Sequence, residues 1–323
     1  MNTRIVFMGT PDFASAILES LCKEKYEIVA CITQPDKPMG RHMKLTPPSA
    51  KITALSHGIP VFQPNSLRTE EFLLLLKSWE PDLIVTAAYG KILPATVLSV
   101  PEIGCLNVHA SLLPKYRGAA PVQWALLSGD KETGITIMKM DAGMDTGDIL
   151  TRRLYPVDPD IHTNQLMNEL SAVGAELLLE TLPGYLAGTI KPVPQDHRLA
   201  TLSPPIRKEQ GLIDWNQSAQ TIHNQIRALS SWPGAYTFYE GERFKIYQSM
   251  ILIDTALLAA YRQDHGEPLP GTIIRAAGSL LAVSCGSGCL SLSSVQPQSC
   301  RRMDASECAH NYHVGIRFSG VPS

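Results

Sequence analysis

RIVFM at residues 4–8 holds a four-residue apolar run, IVFM, that stops at Gly9, and Phe13, Ile17 and Leu21 follow at four-residue intervals. A short apolar run ending on glycine reads as a buried strand, and apolar residues at every fourth position make one face of a helix. Thr10 as the cap, Pro11 at the first helical position and Asp12 in the first turn mark where that helix begins. EIVACIT at 27–33 is the next strand. A helical crossover makes its two strands parallel, and a parallel sheet needs helices on both faces. The expected fold class is α/β, built on a doubly wound, mostly parallel sheet.

Apolar runs at 82–88, 103–109, 135–140 and 148–155 extend the sheet, with helices expected near 48–57, 69–78 and 120–128. A long helix capped by Thr163 follows; Leu166, Leu170, Val173 and Leu177 form its core-facing stripe, and Pro183 with Gly184 mark its end. Residues 191–207, KPVPQDHRLATLSPPIR, lose periodicity and carry four prolines, the pattern of a linker. Beyond it come one helix, 217–229, and short strands split by glycine-rich turns in GAYTFYEGERFKIYQ, PGTIIRAAGSLLAVSCGSGCLSLSSV and HVGIRF. That pattern predicts a small β-barrel. With 323 residues the chain divides naturally into a domain over 1–190, a linker over 191–207 and a second domain over 208–323.

The net charge of −2 gives no global attraction to a polyanion, so a nucleic-acid contact would have to be local. No 18-residue apolar stretch is present, which excludes a membrane-spanning helix. Cysteines at 22, 31, 105, 285, 289, 300 and 308 have no framework spacing, and the start MNTRIVFMGT has no secretory pattern, so a reducing cytoplasm is expected.

The polar residues that stand out lie at 107–121, NVHASLLPKYRGAAP. Alternate side chains of a strand share a face, so Cys105, Asn107 and His109 point one way. Asn107 and His109 thus meet at a strand's C-terminal end, where open α/β sheets bind ligands, and an amide beside an imidazole can stabilise a carbonyl oxygen as it becomes an oxyanion. Position alone leaves a merely structural polar pair open. Ser111, Leu112, Leu113 and Pro114 then form a stiff loop suited to a flat, mostly apolar ligand. DAGMDTGD at 141–148 brings three carboxylates, without the alternation of a calcium loop. One of them, hydrogen-bonded to His109, would fix the tautomer of its ring; spacing does not choose among Asp141, Asp145 and Asp148.

Other motifs narrow the chemistry. The turn GTPDF has one glycine and places Asp12 where a dinucleotide's pyrophosphate would sit, which disfavours nicotinamide and flavin. Cys285, Cys289, Cys308, His310 and His313 lack paired metal-ligand spacing, so no metal is expected. QPDKPMGRHMKLTPPSAK at 34–51 sets Lys37, Arg41, Lys44 and Lys51 against the single acid Asp36. A projecting basic loop of this kind is either a solvated surface or a contact for a phosphate backbone.

FMGTPDFA, QPDKPMGR, NVHASLLPKYRGAAP, MDTGDI and WPGAY, in that order, closely resemble the methionyl-tRNA formyltransferase family, and the resemblance spans nearly the whole chain. It implies formyl transfer from 10-formyltetrahydrofolate to initiator methionyl-tRNA by a monomeric enzyme, with no metal and no membrane partner. It implies a catalytic trio of Asn107, His109 and Asp145, folate contacts from Ser111, Leu112, Leu113 and Pro114, and tRNA contacts from Lys37, Arg41, Lys44, Arg207 and Lys208. It also implies that the second domain is an OB-like barrel that helps hold the tRNA. His42 stands where the family commonly has glycine, and Pro205 where it usually has lysine. The rivals are a formyltransferase of amino sugar nucleotides, a silent folate- or tRNA-binding protein, and a hydrolase releasing formate from the same folate.

Overall fold

The computed structural model describes residues 3–39, 43–253 and 255–320. It divides into two compact units: one gathers the residues up to Pro121, Glu132–Pro156 and Leu166–Pro204, and the other gathers Val122–Lys131, Val157–Gln165 and the residues from Pro205 onward.

In the first unit, β1 (Arg4–Gly9), α1 (Asp12–Lys23) and β2 (Glu27–Ile32) form the expected parallel crossover, with Ile5 beside Ile28 and Met8 beside Ile32. The helix starts one residue later than the sequence predicts, with Pro11 as its N-cap. The Thr10 hydroxyl is used elsewhere: it donates to the Tyr89 carbonyl, 3.0 Å away. Next come the antiparallel hairpin of β3 (Lys37–Met39) and β4 (Lys44–Thr46), then α2 (Ser49–Ser56), β5 (Val61–Phe62), α3 (Glu70–Ser78), β6 (Leu83–Ala87), α4 (Ala95–Leu98) and β7 (Gly104–His109). Thr69 caps α3, its hydroxyl oxygen accepting the Phe72 N–H at 3.3 Å. The chain continues through β8 (Arg117–Gly118), α5 (Pro121–Ser128), which from Val122 belongs to the second unit, β9 (Glu132–Lys139), β10 (Ile149–Pro156) and α6 (Thr163–Leu186), which belongs to the first unit from Leu166, and β11 (Leu202–Ser203) pairs with β8. Helix α6 runs past the expected stop at Pro183: in the last turn the missing N–H forfeits a single helical bond, and the Gly184 carbonyl accepts from Thr189 and Ile190.

The main sheet has the order β10-β9-β7-β6-β1-β2-β5, parallel from β7 through β5, with β9 and β10 antiparallel at the edge. Its strands are apolar on both sides because both faces are covered. On one, Met8, Ile32, Ile84 and Cys105 pack with Phe72 and Leu76 of α3. On the other, Gly174 of α6 approaches so closely that a Cβ there would lie 3.0 Å from Val108 Cγ1. From β1 the chain passes to β2 on one side and later to β6 on the other, so the topological switch lies between β1 and β6. The C-terminal ends of those strands and of β7 are where such a sheet offers a ligand crevice.

The second unit contains α7 (Ala219–Ala228), β12 (Ala235–Tyr239), β13 (Glu242–Leu252), α8 (Thr255–His265), β14 (Ile273–Ala277), β15 (Leu280–Ser284), β16 (Cys289–Gln296), β17 (Met303–Asp304) and α9 (Ala305–Cys308). Its sheet, β12-β13-β16-β15-β14 with β17 on β16, is antiparallel at every pairing. Ile222 and Ile226 of α7 join Phe244, Ile246, Leu290 and Leu292 in its core. The Trp215 indole N–H donates to Thr237 Oγ1 at 2.9 Å while the ring stacks on Phe318. HVGIRF at 313–318 is not the expected strand: Gly315 at φ +89 breaks the extended run, leaving an isolated bridge between Arg317 and Thr272. Helix α8, unread among the strand signals, lays Leu257, Leu258 and Tyr261 over Ile274, Ala282 and Cys289.

Burial pushes the thiols of Cys31, Cys105 and Cys285 up to about 12, because a thiolate there would lose its hydration. Cys300 is exposed. Native-state titration with a thiol-reactive disulfide at pH 8 is expected to modify Cys300 quickly and to reach these three only on unfolding. Rapid native modification of any of the three would contradict their burial.

Candidate active site

Pairing across the sheet sets Asn107 opposite Thr86 on β6 and His109 opposite Thr136 on β9. The Thr86 hydroxyl donates to Asn107 Oδ1 at 2.8 Å, which turns the amide nitrogen the other way; Nδ2 lies 3.5 Å from Asp145 Oδ1. His109 is 6% exposed, with Nε2 2.9 Å from the Tyr116 carbonyl oxygen. A carbonyl only accepts, so Nε2 carries the proton and Nδ1 is left facing Asp145 Oδ2 at 3.7 Å. The expected carboxylate–histidine hydrogen bond is therefore absent at that distance. A backbone carbonyl fixes the tautomer, and Asp145 supplies a negative charge beside the ring.

Among the three aspartates of DAGMDTGD, Asp145 is the one brought to the pair. Its Oδ2 accepts the Gly118 N–H at 2.8 Å. Asp141 shapes the loop instead, accepting from Gly143 N at 3.0 Å and Thr146 Oγ1 at 2.7 Å. Asp145 has φ +53, a left-handed conformation that needs support from its neighbours in a residue with a side chain. Gly147 is required by space: a Cβ there would sit 1.9 Å from the Lys139 carbonyl oxygen. Gly147→Ala is expected to push the loop off β9 and lower turnover by about 100-fold, the scale of an ångström-sized misplacement. Steady-state kinetics on folded protein checks this, and unchanged kcat would mean that the loop absorbs the methyl group.

Gln195, which the sequence reading passed over, joins this loop. It is 5% exposed; its Nε2 donates to the carbonyls of Asp145 at 2.9 Å and Gly147 at 2.7 Å, and its Oε1 accepts from Arg117 Nε at 3.1 Å and Nη2 at 2.6 Å. Residues 191–203 pack within the first unit, with Val193 bridged to Ile149 and Leu202 beside Arg117.

The SLLP loop leaves β7 directly after His109. The Ser111 hydroxyl donates to the Lys115 carbonyl at 2.6 Å, and Thr136 Oγ1 bridges the Ser111 carbonyl and the Leu113 N–H at 2.7 and 3.1 Å. Ser111 and Leu113 are fully buried, and the Leu113–Pro114 peptide is cis. Leu112 and Pro114 are half-buried, so of the four they present the accessible side-chain surface.

The basic residues sort by environment. Lys37 and Lys44 are exposed on the β3–β4 hairpin. Lys51 is anchored, its ammonium 2.8 Å from Asp36 Oδ1 and 2.9 Å from Gln63 Oε1. Those bonds from Lys51 and Gln63 hold the Asp36 carboxyl below the usual carboxylate range. Arg41 and His42 lie outside the described residues. In the second unit Arg207 and Lys208 are exposed at the start of a 3₁₀ turn, Lys208–Gly211. Among the described residues, no three His, Cys, Asp or Glu side chains are grouped to hold a metal ion, and no helix is long and apolar enough to cross a membrane.

The sheet's C-terminal end brings Asn107 and His109 together with Asp145 from the β9–β10 loop, and the family comparisons define the class of the chain as a formyltransferase. The formyl transferase model matches residues 3–182 and the formyl transferase C-terminal domain model matches 205–313. Methionyl-tRNA formyltransferase of Acetivibrio thermocellus is 44% identical over 312 residues, covering 97% of both chains, and that of Trichlorobacter lovleyi is 47% identical over 302 residues, covering 94% of this chain and 92% of the relative. The chain belongs to the methionyl-tRNA formyltransferase family. Among solved structures, the sugar 3N-formyl transferase WlaRD superposes with a TM-score of 0.65 at 17% identity, over 93% of this chain and 99% of that one. HypX from Aquifex aeolicus in complex with tetrahydrofolic acid does so with a TM-score of 0.63 at 17% identity, over 95% of this chain and 47% of that longer one. At such identity these two likenesses concern the fold alone.

Proposed function

We propose that the chain transfers the formyl group of 10-formyltetrahydrofolate to the α-amino group of methionine on initiator methionyl-tRNA, giving formylmethionyl-tRNA for translation initiation. The observation that carries the chemistry is the convergence of Asn107 Nδ2 and His109 Nδ1 on the Asp145 carboxylate, at 3.5 and 3.7 Å. The acceptor is supported by relatives at 44 and 47% identity over nearly the full chain. An α-amino group has a pKa of roughly 8, so an appreciable fraction is neutral near pH 7 and no strong base is needed to start the attack. Asn107, its amide turned by Thr86, donates to the formyl oxygen as that oxygen gains charge. His109 takes the proton of the attacking amine on Nδ1 and delivers it to the folate nitrogen as the carbon–nitrogen bond breaks. Asp145 faces the imidazolium formed between those two steps.

In this reading Ser111, Leu112, Leu113 and Pro114 line the folate site, and Lys37, Arg41, Lys44, Arg207 and Lys208 meet the RNA. Residues 1–190 are the catalytic domain, and 208–323 form an OB-like barrel that helps hold the tRNA. The amide and imidazole supply the stabilisation, and we assign no metal. Free cysteines support a reducing cytoplasm as the place of action. Incubation with 10-formyltetrahydrofolate and charged initiator methionyl-tRNA is expected to yield formylmethionine on the tRNA. Formyl transfer only to an amino sugar nucleotide, or formate release without an acceptor, would overturn this reading.

A further inference from the structure

We propose that Gln195 is a positioning residue for Asp145, oriented for that task by Arg117; the inference rests on the assignment of Asp145 to the reacting centre. Two observations carry it. The first is that both ends of the buried Gln195 amide are used: Nε2 on the carbonyls of Asp145 and Gly147, Oε1 on the Arg117 guanidinium. A guanidinium only donates, so Arg117 selects the amide orientation that aims N–H groups at the two carbonyls. The reverse orientation would set donors against donors and an oxygen against two oxygens. Arg117 is itself 7% exposed, and its Nη2 also donates to His197 Nδ1 at 3.1 Å.

The second is the backbone it grips. Asp145 at φ +53 lies in a region that residues with a Cβ occupy only when neighbours impose it. Gly118 N–H holds the side chain of this residue, and Gln195 holds its carbonyl. Together they set the direction in which the carboxylate leaves the main chain, and therefore its approach to Asn107 and His109.

Gln195→Glu keeps an acceptor for Arg117 but removes both N–H donors, and Gln195→Met removes both functions at similar length. Each is to be measured alone and combined with Asp145→Asn, reading kcat and folate KM, with circular dichroism as the control for folding. We expect kcat to fall about 10- to 100-fold in either single variant, with KM nearly unchanged. In the Asp145→Asn background the same substitutions are expected to add less than about threefold, because two residues acting through one group are not additive. Near-normal kcat in folded Gln195→Glu overturns the proposal, as does a full multiplicative loss in the Asp145→Asn background. Should Gln195→Met fail to fold, Gln195→Glu decides. Undiminished turnover in Asp145→Asn overturns the assignment of Asp145 itself, and this proposal with it.

Discussion

Purified His109→Ala and Asn107→Ala are each expected to lose on the order of 100-fold or more in kcat, about 2.7 kcal/mol of barrier, while binding folate with little change. The expectation follows from how each group is held. The Asn107 amide is fixed before any substrate arrives, because the Thr86 hydroxyl occupies its oxygen at 2.8 Å. A donor already pointed where charge develops needs no reorganisation, and its loss is felt in the transition state far more than in binding. His109 donates through Nε2 to Tyr116, so Nδ1 is the nitrogen left for proton transfer, and positioned proton transfer contributes typically 10²–10⁴-fold. Thr86→Val should release the Asn107 amide and lower kcat by a smaller factor, about 10-fold, without removing the donor itself. Single-turnover kinetics with saturating folate separates chemistry from binding. Near-normal turnover in either alanine variant would remove that residue from the reaction.

What the sequence made legible were features with a local signature. Strand alternation placed Asn107 and His109 on one face because the two-residue period is geometric, and the pairings of β7 bear that out. Likewise the apolar stripe of α1 is written within a few residues of the element it defines. The features that spacing alone could not read are contacts between distant segments or to groups that every residue possesses. Asp145 is 38 positions from Asn107, so nothing in DAGMDTGD distinguishes it from Asp141 or Asp148. Gln195 is 50 positions from Asp145 and sits in a segment whose prolines and lost periodicity read as a linker. The His109 tautomer depends on the carbonyl of Tyr116, and a main-chain carbonyl leaves no mark in a sequence. Helix α8 was hidden for a different reason: Thr255–His265 falls in the gap between two segments that read as short strands, and the sequence reading assigns no element to it.

Replacing Lys37, Arg41 and Lys44 together by alanine is expected to lower kcat/KM for charged tRNA by about 10- to 100-fold near physiological salt, leaving folate binding unchanged. Each cation on a phosphate contributes close to one unit, about 0.9 for a duplex, to the slope of log affinity against log salt. Three lost contacts should therefore flatten that slope by roughly two to three units. The sequence presents Lys51 as a fourth member of the same basic cluster, but the structure separates it from Lys37 and Lys44. Its ammonium is bound by Asp36 and Gln63 at the foot of the hairpin, whereas Lys37 and Lys44 are exposed on the strands. A cation already neutralised by a carboxylate releases few counterions when RNA arrives, so Lys51→Met should change the salt slope much less than the triple substitution does. Formylation rates measured across tRNA and potassium chloride concentrations test both halves of the expectation. A slope unchanged by the triple substitution would take the hairpin off the RNA-binding surface, and a slope that falls as much for Lys51→Met would mean that net charge, rather than projection from the fold, governs the encounter.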